Sequence, residues 1–292
     1  MLYNNNMTYR DLYQWGYEQL AAAGIDEAKT DARLLLEWCC GTDRNTLLAH
    51  GDRSISEEEY KLYTECMARR TARIPLQYIT GEQDFMGLTF TVDHNVLIPR
   101  QDTEVLVEEV MRNLHDGMRI LDMCTGSGCI LLSLLRYSNN CTGVGVDLSE
   151  EALRVAGRNA ARILGEQANE QSQVTWRQGN LFEGLDANDK FDIIVSNPPY
   201  IRTDVIETLM PEVREHEPRL ALDGQADGLF FYREIIAQAG RFLIGGGMLF
   251  FEIGYDQGEE VSRLMEDAGY MNIEVIKDFA GLDRVVFGGS HV

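Results

Sequence analysis

The six residues "SNPPYI", Ser196 to Ile201, follow the apolar run "FDIIV" and bring an amide, two prolines and a phenol ring together. Proline cannot donate a backbone hydrogen bond and excludes the helical region for the residue before it, so Asn197 must lie in an extended, rigid turn. The Asn197 side-chain oxygen and the Pro198 carbonyl can each accept one N–H, and the ring of Tyr200 can stack on a planar group. Such a set could hold an sp2 amino group with its nitrogen facing an electrophile. An ordinary strand-to-loop turn is the alternative interpretation.

A second candidate site is the glycine loop in "RILDMCTGSGCILLSLL", which predicts a strand, a turn and a helix. The strand ends at Asp122, Gly126 and Gly128 let the backbone approach a ligand closely, and the start of the helix offers unpaired amides. Leu131 stands where G-x-G-x-x-G would need its third glycine, and no G-K-[ST] follows, so a dinucleotide or a triphosphate is disfavoured. The loop favours another nucleotide-like ligand, and a tight turn that binds nothing is the alternative.

Polar residues also follow the next two predicted strands. Asp147 ends "GVGVD", and a carboxylate at the end of a second strand can accept both hydrogen bonds of a ribose diol. Its alternative role is to cap the following helix, for which Ser149 is better placed. In "GNLFEG", Asn180 could contact an adenine edge while Leu181 and Phe182 pack on the ring. From these residues alone, a loop asparagine with core neighbours is the favoured interpretation.

Composition limits the classes of function. The chain has 292 residues, 45% of them hydrophobic, which is enough for two domains at about 100–200 residues each. Its 26 Lys and Arg against 47 Asp and Glu give a net charge of -21, which argues against a broad basic face that binds nucleic acid. The cysteines form no C-x-x-C pair and the histidines are scattered, so we predict neither a metal site nor a disulfide framework. No signal-peptide pattern or long apolar run is present, so we expect a cytoplasmic protein without membrane contact, and a monomer.

The chain from Thr8 to Arg73 predicts a bundle of three helices, because apolar stripes alternate with capping residues and glycine stops. The aromatic and β-branched segment from Ile74 to Arg100 predicts a hairpin, with a domain boundary near Gly81. The predicted divisions are a helical domain at residues 1–80, a hairpin linker at 81–100 and a second domain at 101–292.

The second domain alternates between strands and helices, which predicts an α/β fold with a mainly parallel sheet covered on both faces. The last connection, "DFAGLD", is too short for a helical crossover, so the last two strands are predicted to be antiparallel neighbours. The predicted strands are Arg119–Met123, Gly143–Val146, Val174–Arg177, Phe191–Val195, Met248–Ile253, Ile273–Lys277 and Arg284–Phe287.

Taken together, "ILDMCTGSGCI", "GNLF", "FDIIVSNPPYI" and "RIPLQYITGEQDFMGLTFTVDHNVLIPRQDTEVLVE" resemble the protein glutamine methyltransferases. The resemblance covers the chain from about Arg73 to Phe287. It implies an S-adenosylmethionine-dependent methyltransferase fold, an α/β, Rossmann-like domain whose seven-stranded sheet has one antiparallel strand, after a small N-terminal helical domain. It also implies S-adenosylmethionine as the cofactor and no metal.

The resemblance assigns roles to individual residues. The matching positions that bind the cofactor in the family are Cys124, Thr125, Gly126, Ser127 and Gly128 around the methionine part, Asp147 at the ribose, Asn180 and Leu181 at the adenine, and Asn197. Those that bind the substrate glutamine are Asn197, Pro198, Pro199 and Tyr200, with Asn197, Pro198 and Tyr200 catalytic. The family usually has Asp at position 180, and the carbonyl of Asn180 can still accept a hydrogen bond.

The resemblance also implies a substrate. "PLQYITGE" and "IPRQDTE" look most like the members that methylate the glutamine of the Gly-Gly-Gln motif in peptide chain release factors, with the helical domain recognising the substrate. "CTGSGC" looks somewhat like the members that methylate a ribosomal protein. Adenine N6 methyltransferases of nucleic acids share "NPPY", but the acidic charge disfavours them. The intact motif disfavours a nonenzymatic adenosyl-binding regulator.

Further polar residues are interpreted as structural. In "IPRQDTE", Arg100 and Glu104 are predicted to form a salt-bridge cluster in which Thr103 caps the first helix of the second domain. The alternative, implied by the resemblance because this segment borders the active site in the family, is contact with the substrate or the cofactor. Glu217 and Asp227 are predicted to order a loop near the substrate, and Glu252 to be a buried carboxylate with its hydrogen bonds satisfied. The aromatic residues of the helix predicted at 227–243 are assigned to core packing.

Overall fold

The computed structural model describes residues 3–4, 6–165 and 174–290. Its contacts divide the chain into two compact units. The first consists of Met1–Gly81 with Met210–His216, and the second of Glu82–Leu209 with Glu217–Val292. The short segment Met210–His216 thus groups with the helical unit, although it lies within the predicted second domain. The predicted linker at 81–100 groups almost entirely with the second unit.

The first unit is a helical bundle. Its helices are α1 (Tyr9–Ala22), α2 (Ala28–Cys40), α3 (Arg44–Ala49), α4 (Glu57–Thr71), α5 (Leu76–Thr80) and the short helix Pro211–His216. Thr8 caps α1, since its side chain accepts from the Asp11 N–H while the Asp11 carboxylate accepts from the Thr8 N–H. The three predicted helices are present, but α5 replaces the start of the predicted hairpin. The Pro75 carbonyl accepts from the N–H groups of Tyr78 and Ile79 at the start of α5, and Gly81, at a φ of 79°, ends the helix.

A buried ion cluster explains why Met210–His216 belongs to the first unit. Arg70 donates from Nε to Asp31 Oδ2 at 2.7 Å and from Nη2 to Glu212 Oε1 at 3.0 Å. Arg73 adds a contact of 3.2 Å to the same Glu212 oxygen. Each buried carboxylate is therefore paired with a guanidinium, as burial of charge requires.

The second unit begins with a hairpin of β1 (Glu82–Phe85) and β2 (Leu88–Thr91). A seven-stranded sheet follows, in the order β5-β4-β3-β6-β7-β9-β8. β9 is antiparallel to both of its neighbours, and the other described pairs of this sheet are parallel, which confirms the predicted fold. The strands are β3 (Arg119–Met123), β4 (Thr142–Asp147), β5 (Val174–Gln178), β6 (Phe191–Ser196), β7 (Leu243–Glu252), β8 (Met271–Lys277) and β9 (Asp283–Gly289).

Helices cover both faces of this sheet. They are α6 (Thr103–Asn113), α7 (Cys129–Tyr137), α8 (Glu150–Leu164), α9 (Phe230–Ala239) and α10 (Gly258–Asp267), together with a helical turn at Thr203–Ile206. Because successive strand residues point to opposite faces, Ile120 of β3 packs in the cluster that contains α6, α7 and α8 residues, and Leu121 packs in the cluster that contains α9 and α10 residues. The two cores fix the sheet between helical layers.

Candidate active site

The carboxyl ends of three adjacent parallel strands, β4, β3 and β6, meet at one edge of the sheet. A cavity of about 240 Å³ lies there, which is the expected place for a ligand in a parallel α/β sheet. Its lining includes these residues with predicted roles: Cys124, Thr125, Gly126, Ser127, Asp147, Asn180, Leu181, Asn197 and Pro199. Gly128, Pro198 and Tyr200 are absent from the lining.

Asp122, the fourth residue of β3, holds the glycine loop in place. Thr125 Oγ1 donates to Asp122 Oδ2 at 2.5 Å, and burial raises the pKa of Asp122 to about 7. Gly126 has a φ of 55°, and a Cβ added there would meet no atom within 4 Å. Gly128 has a φ of 78°, and an added Cβ would lie 2.9 Å from the Trp176 ring. Gly126 thus leaves open space at the cavity wall, while Gly128 is required for close packing.

Asp147 joins the glycine loop to the end of β4. Its Oδ2 accepts from the Gly126 N–H at 2.9 Å and its Oδ1 accepts from the Ser149 N–H at 2.9 Å. Burial raises the pKa of the Asp147 carboxyl. Ser149 caps α8 by accepting from the Ala152 N–H at 3.1 Å. Asp147 is therefore not needed as the cap and stands in the cavity wall.

The segment after β5 supplies Asn180 and Leu181. Leu181 is buried in a left-handed conformation with a φ of 51°, and Asn180 is exposed. Both line the cavity. Phe182 does not, because its ring stacks on Phe242 with 4.8 Å between centroids. This agrees with the favoured interpretation of Phe182 as a core neighbour rather than with the alternative in which it packs on a ligand ring.

Asn197 follows β6 and reaches the cavity with its amide. Its Nδ2 donates to Thr103 Oγ1 at 3.4 Å, and no hydrogen bond among the described residues uses its Oδ1. The Pro198 carbonyl is likewise without a partner among the described residues. Tyr200 turns its hydroxyl to Glu252 Oε1 at 3.1 Å, and burial raises its pKa. The stacking of Tyr200 on a substrate stays a prediction.

The loop between β6 and β7, together with Gln257 just before α10, supports the turn from behind. The Ile201 N–H donates to the Leu222 carbonyl at 3.0 Å, and Gln257 Nε2 donates to the Tyr200 carbonyl at 3.1 Å. A Cβ added to Gly224 would lie 2.7 Å from the Tyr200 Cα. Sequence reasoning missed this contact, although the paired glycines of "LDGQADG" were a signal for a close backbone approach.

The other candidate residues either line the cavity or form ion pairs that stabilise the structure around it. Thr103 is not the N-cap of α6, because Asp102 holds that position without a side-chain bond; Thr103 is buried in the first turn and lines the cavity. Glu217 pairs with Arg100, and Asp227 pairs with Arg233, which agrees with their structural interpretation.

The aromatic residues of α9 only partly follow their assignment to core packing. Tyr232 is fully buried in the core as predicted, and Phe231 packs against that core but also lines the cavity. Phe230 lines the cavity and is 41% exposed, so the assignment is wrong for Phe230. A helix-period pattern marks an apolar face but cannot distinguish a core from a cavity wall. The two rings give the cavity an apolar side.

The charges of the lining restrict the ligand. Among the described lining residues, Asp147 is the one carboxylate and Arg100 the one cation, and Arg100 is already paired with Glu217. The remaining walls are amide, hydroxyl and apolar. This combination suits a nucleoside better than a phosphate-rich ligand. In the part of the chain that the structure describes, no group of three or more potential ligand residues could hold a metal ion, and no helix has the length and apolarity to cross a membrane.

Comparisons with known proteins agree with this geometry. The PrmC N-terminal domain family matches residues 11–81, and a methyltransferase domain family matches residues 114–277. The release factor glutamine methyltransferase of Geobacter sulfurreducens is 43% identical over 281 residues, covering 96% of each chain. That of Caulobacter vibrioides is 42% identical over 273 residues, covering 93% of this chain and 92% of its own.

A solved methyltransferase structure from Pyrococcus furiosus shares the fold. It has a TM-score of 0.52 at 18% identity and covers 77% of this chain and 100% of its own. The curated relatives match nearly the whole chain at 42% and 43% identity, so they support membership of a family and not only a shared fold. The chain therefore belongs to the family of release factor glutamine methyltransferases.

Proposed function

We propose that this protein transfers a methyl group from S-adenosylmethionine to the side-chain amide nitrogen of the glutamine in the Gly-Gly-Gln motif of peptide chain release factors. The observation that supports it most directly is the Asn197 amide, which stands in the cavity wall with an unengaged Oδ1. The same cavity holds Asp147 and the glycine loop. The curated relatives are named release factor glutamine methyltransferases.

The cavity fits S-adenosylmethionine by its chemistry. The carboxylate of Asp147 would hold the ribose diol, Asn180 and Leu181 would flank the adenine, and the open space at Gly126 would admit the methionine part. The absence of an unpaired cation among the described lining residues agrees with a ligand that lacks phosphate. When bound, this cofactor supplies a methyl group on a positively charged sulfur, which is a strong electrophile.

The chain's own task is to orient a poor nucleophile. An amide nitrogen has its lone pair delocalised into the carbonyl, so both of its N–H bonds must be held to expose the nitrogen. Asn197 Oδ1 and the Pro198 carbonyl are two acceptors without partners among the described residues, and each would take one N–H. Orientation of this kind contributes up to about 7–11 kcal/mol in favourable cases. The proton that the nitrogen loses after transfer passes to water, so no strong base is required.

The proposal is tested by incubating the protein with radiolabelled S-adenosylmethionine and, separately, a release factor, ribosomal proteins and DNA. We expect label in the release factor, and its loss when the Gly-Gly-Gln glutamine is replaced by alanine. Label in a ribosomal protein alone would identify that protein, rather than the release factor, as the substrate. Label in DNA alone would contradict amide methylation.

The helical unit has a groove suited to an acidic protein surface, and in this proposal it recognises the release factor. The groove, about 460 Å³ in volume, is lined by Arg10, Lys29, Arg33 and Arg44, and no carboxylate is among its described lining residues. Arg33 is paired with Glu37 at 2.6 Å, so Arg10, Lys29 and Arg44 supply most of its positive charge. The exposed side chain of Leu48 adds an apolar contact. In a chain of net charge -21, such a basic groove favours an acidic partner.

We expect Arg44→Glu to raise KM for the intact release factor about threefold, because reversal of one exposed charge changes binding by roughly 0.2–1 kcal/mol. The effect should shrink as salt concentration rises. Lys61→Glu makes the same charge change at an exposed residue outside the groove and should leave KM unchanged. Steady-state kinetics in low and high salt measure both variants, and equal KM values would remove the groove from substrate recognition.

A further inference from the structure

The side chain of Gln257 connects the turn after β6, the start of α9 and the chain just after β7. It is 8% exposed and lies just before α10. Its Nε2 donates to the Tyr200 carbonyl at 3.1 Å and to the Gly228 carbonyl at 3.2 Å. Its Oε1 accepts from the Gly254 N–H at 2.9 Å and from the Tyr232 hydroxyl at 3.3 Å. Both polar atoms of this buried amide therefore have partners, as a buried polar group requires.

The backbone partners leave the Gln257 amide one orientation. A backbone carbonyl only accepts and a backbone N–H only donates, so the NH2 must face Tyr200 and Gly228. The oxygen must then face the Gly254 N–H. A flipped amide would set its oxygen against two carbonyl oxygens and its NH2 against an N–H. Both hydrogens of the Gln257 NH2 are therefore committed to the Tyr200 and Gly228 carbonyls.

Two glycines make room for this amide. A Cβ added to Gly228 would lie 2.7 Å from Gln257 Nε2 and 2.5 Å from the Tyr200 carbonyl oxygen. A Cβ added to Gly254 would lie 2.9 Å from Gln257 Oε1. Gly228 also has a φ of 75°, which residues with a Cβ rarely adopt. The amide packs directly on both glycines, so a shift of the Gly228 backbone would displace it from the Tyr200 carbonyl.

The Tyr200 carbonyl is one end of a peptide group whose other end is also held. The Ile201 N–H belongs to the same planar group and donates to the Leu222 carbonyl at 3.0 Å. Gln257 holds the oxygen, so the whole plane is fixed. Two prolines separate it from Asn197, and their rings lock φ, so few rotations remain free between them. The position of this peptide therefore sets that of the two substrate acceptors in the turn.

Capping of α10 does not account for the Gln257 side chain. Gln257 occupies the N-cap position, yet its side chain makes no capping hydrogen bond to the described helix. The side chains favoured at an N-cap are shorter, namely those of Ser, Thr, Asp and Asn. The longer side chain reaches the turn after β6 instead, which indicates a role in that turn.

We propose that Gln257 is a positioning residue for methyl transfer, which fixes the Tyr200–Ile201 peptide and through it the two acceptors that orient the substrate amide. The start of α9 is its second anchor, so the same amide ties this turn to the helix that bears Phe230 and Phe231 in the cavity wall. Gln257 is not among the described residues that line the cavity, and it is not proposed to react. The inference rests on the proposed function, because it takes the substrate amide as the group that the turn orients.

Two variants test this role. Gln257→Met keeps the length of the side chain and removes its polar atoms. Gln257→Asn keeps an amide and a favoured N-cap residue, but it is one methylene too short to hold the Tyr200 carbonyl. We expect kcat to fall about tenfold in both, the equivalent of the lost hydrogen bond to Tyr200. The Kd for S-adenosylmethionine should stay within about threefold, because the glycine loop and Asp147 follow other strands.

Gln238→Met is the matched control. Gln238 lies on α9, is not among the described residues that line the cavity, and donates to the Glu234 carbonyl of its own helix at 3.3 Å. The same substitution there should change neither kcat nor Kd. Full kcat in both Gln257 variants, or a rise in Kd as large as the fall in kcat, would overturn the proposal.

Hydrogen exchange of single amides separates positioning from a general loss of stability and does not depend on activity. In Gln257→Met, the Ile201 N–H should exchange about tenfold faster than in the original protein. The Thr125 N–H, which donates to the Val146 carbonyl in the glycine loop, should keep its original rate. An unchanged Ile201 rate, or equal acceleration of both amides, would contradict the proposal.

The same exchange measurement on Gln257→Asn keeps the proposal testable if Gln257→Met does not fold. It also separates this proposal from the proposed function. If the unaltered protein methylates no release factor, the proposed function fails, whereas the exchange rate of the Ile201 N–H still shows whether Gln257 holds the turn.

Discussion

Asn197→Ala is expected to lower kcat for release factor methylation by about 10²–10³, the cost found when one oriented hydrogen-bonding group is removed from a reacting centre. The alanine cannot accept the substrate N–H, so the amide nitrogen loses its orientation. The fold should tolerate the change, because Asn197 is half-buried and its described side-chain bond is the long one, 3.4 Å, to Thr103. The Kd for S-adenosylmethionine should stay within about threefold of the original value.

Single-turnover transfer and isothermal titration together check this expectation. Asn139→Ala provides a matched control, because that asparagine bonds Asp116 outside the cavity and should leave both quantities unchanged. Undiminished turnover in Asn197→Ala would remove Asn197 from the mechanism. If Asn197→Ala lost cofactor binding as well as turnover, the main role of Asn197 would be to bind the cofactor.

The second large effect is expected at Asp147. Asp147→Ala should raise the Kd for S-adenosylmethionine about 100-fold, because hydrogen bonds to a charged group contribute about 1.5–3 kcal/mol. The same carboxylate accepts from the Gly126 and Ser149 N–H groups, so its removal also loosens the loop. Asp147→Asn keeps one acceptor oxygen and should give an intermediate Kd.

The pH dependence of binding provides a further check on Asp147. Burial raises its pKa, so it takes up a proton at a higher pH than an exposed aspartate does. A ribose diol donates to the ionised form, so the Kd should increase as the pH falls through that raised pKa, and Asp147→Ala should flatten the profile. Asp122 is also buried, with a pKa raised to about 7, so Asp122→Asn serves as the control that removes its contribution. If the Kd of Asp147→Ala changed with pH as steeply as that of the original protein, the titrating group would not be Asp147.

The parts of the fold that sequence predicted are those encoded locally. The caps at Thr8 and Ser149 each lie next to the helix that they start. The alternation of strands with helices and the short connection before β9 likewise predicted a mainly parallel sheet with an antiparallel last strand. The carboxyl ends of β4 and β6 could therefore be predicted as the site.

The errors come from contacts between distant residues. β7 begins at Leu243 rather than at Met248, because Leu243 pairs with Phe191 across the sheet although "IGGG" resembles a turn. Thr103 has the residue type of a cap, yet its partner, Asn197, is remote in sequence. The pairing of Glu212 with Arg70 is equally invisible to a local pattern. Such contacts form only when the chain has folded.

The attachment of Met210–His216 to the helical unit has a consequence for how this protein can be divided. The chain passes between its two units three times, after Gly81, Leu209 and His216, instead of once. Cleavage after Gly81 would leave Glu212 in a catalytic fragment that lacks Arg70. Recombination at a single point could not exchange the helical unit as a module, because Glu212, one of the four residues of the buried ion cluster, is encoded far downstream. The helical unit is therefore complete only when the segment Met210–His216 is present.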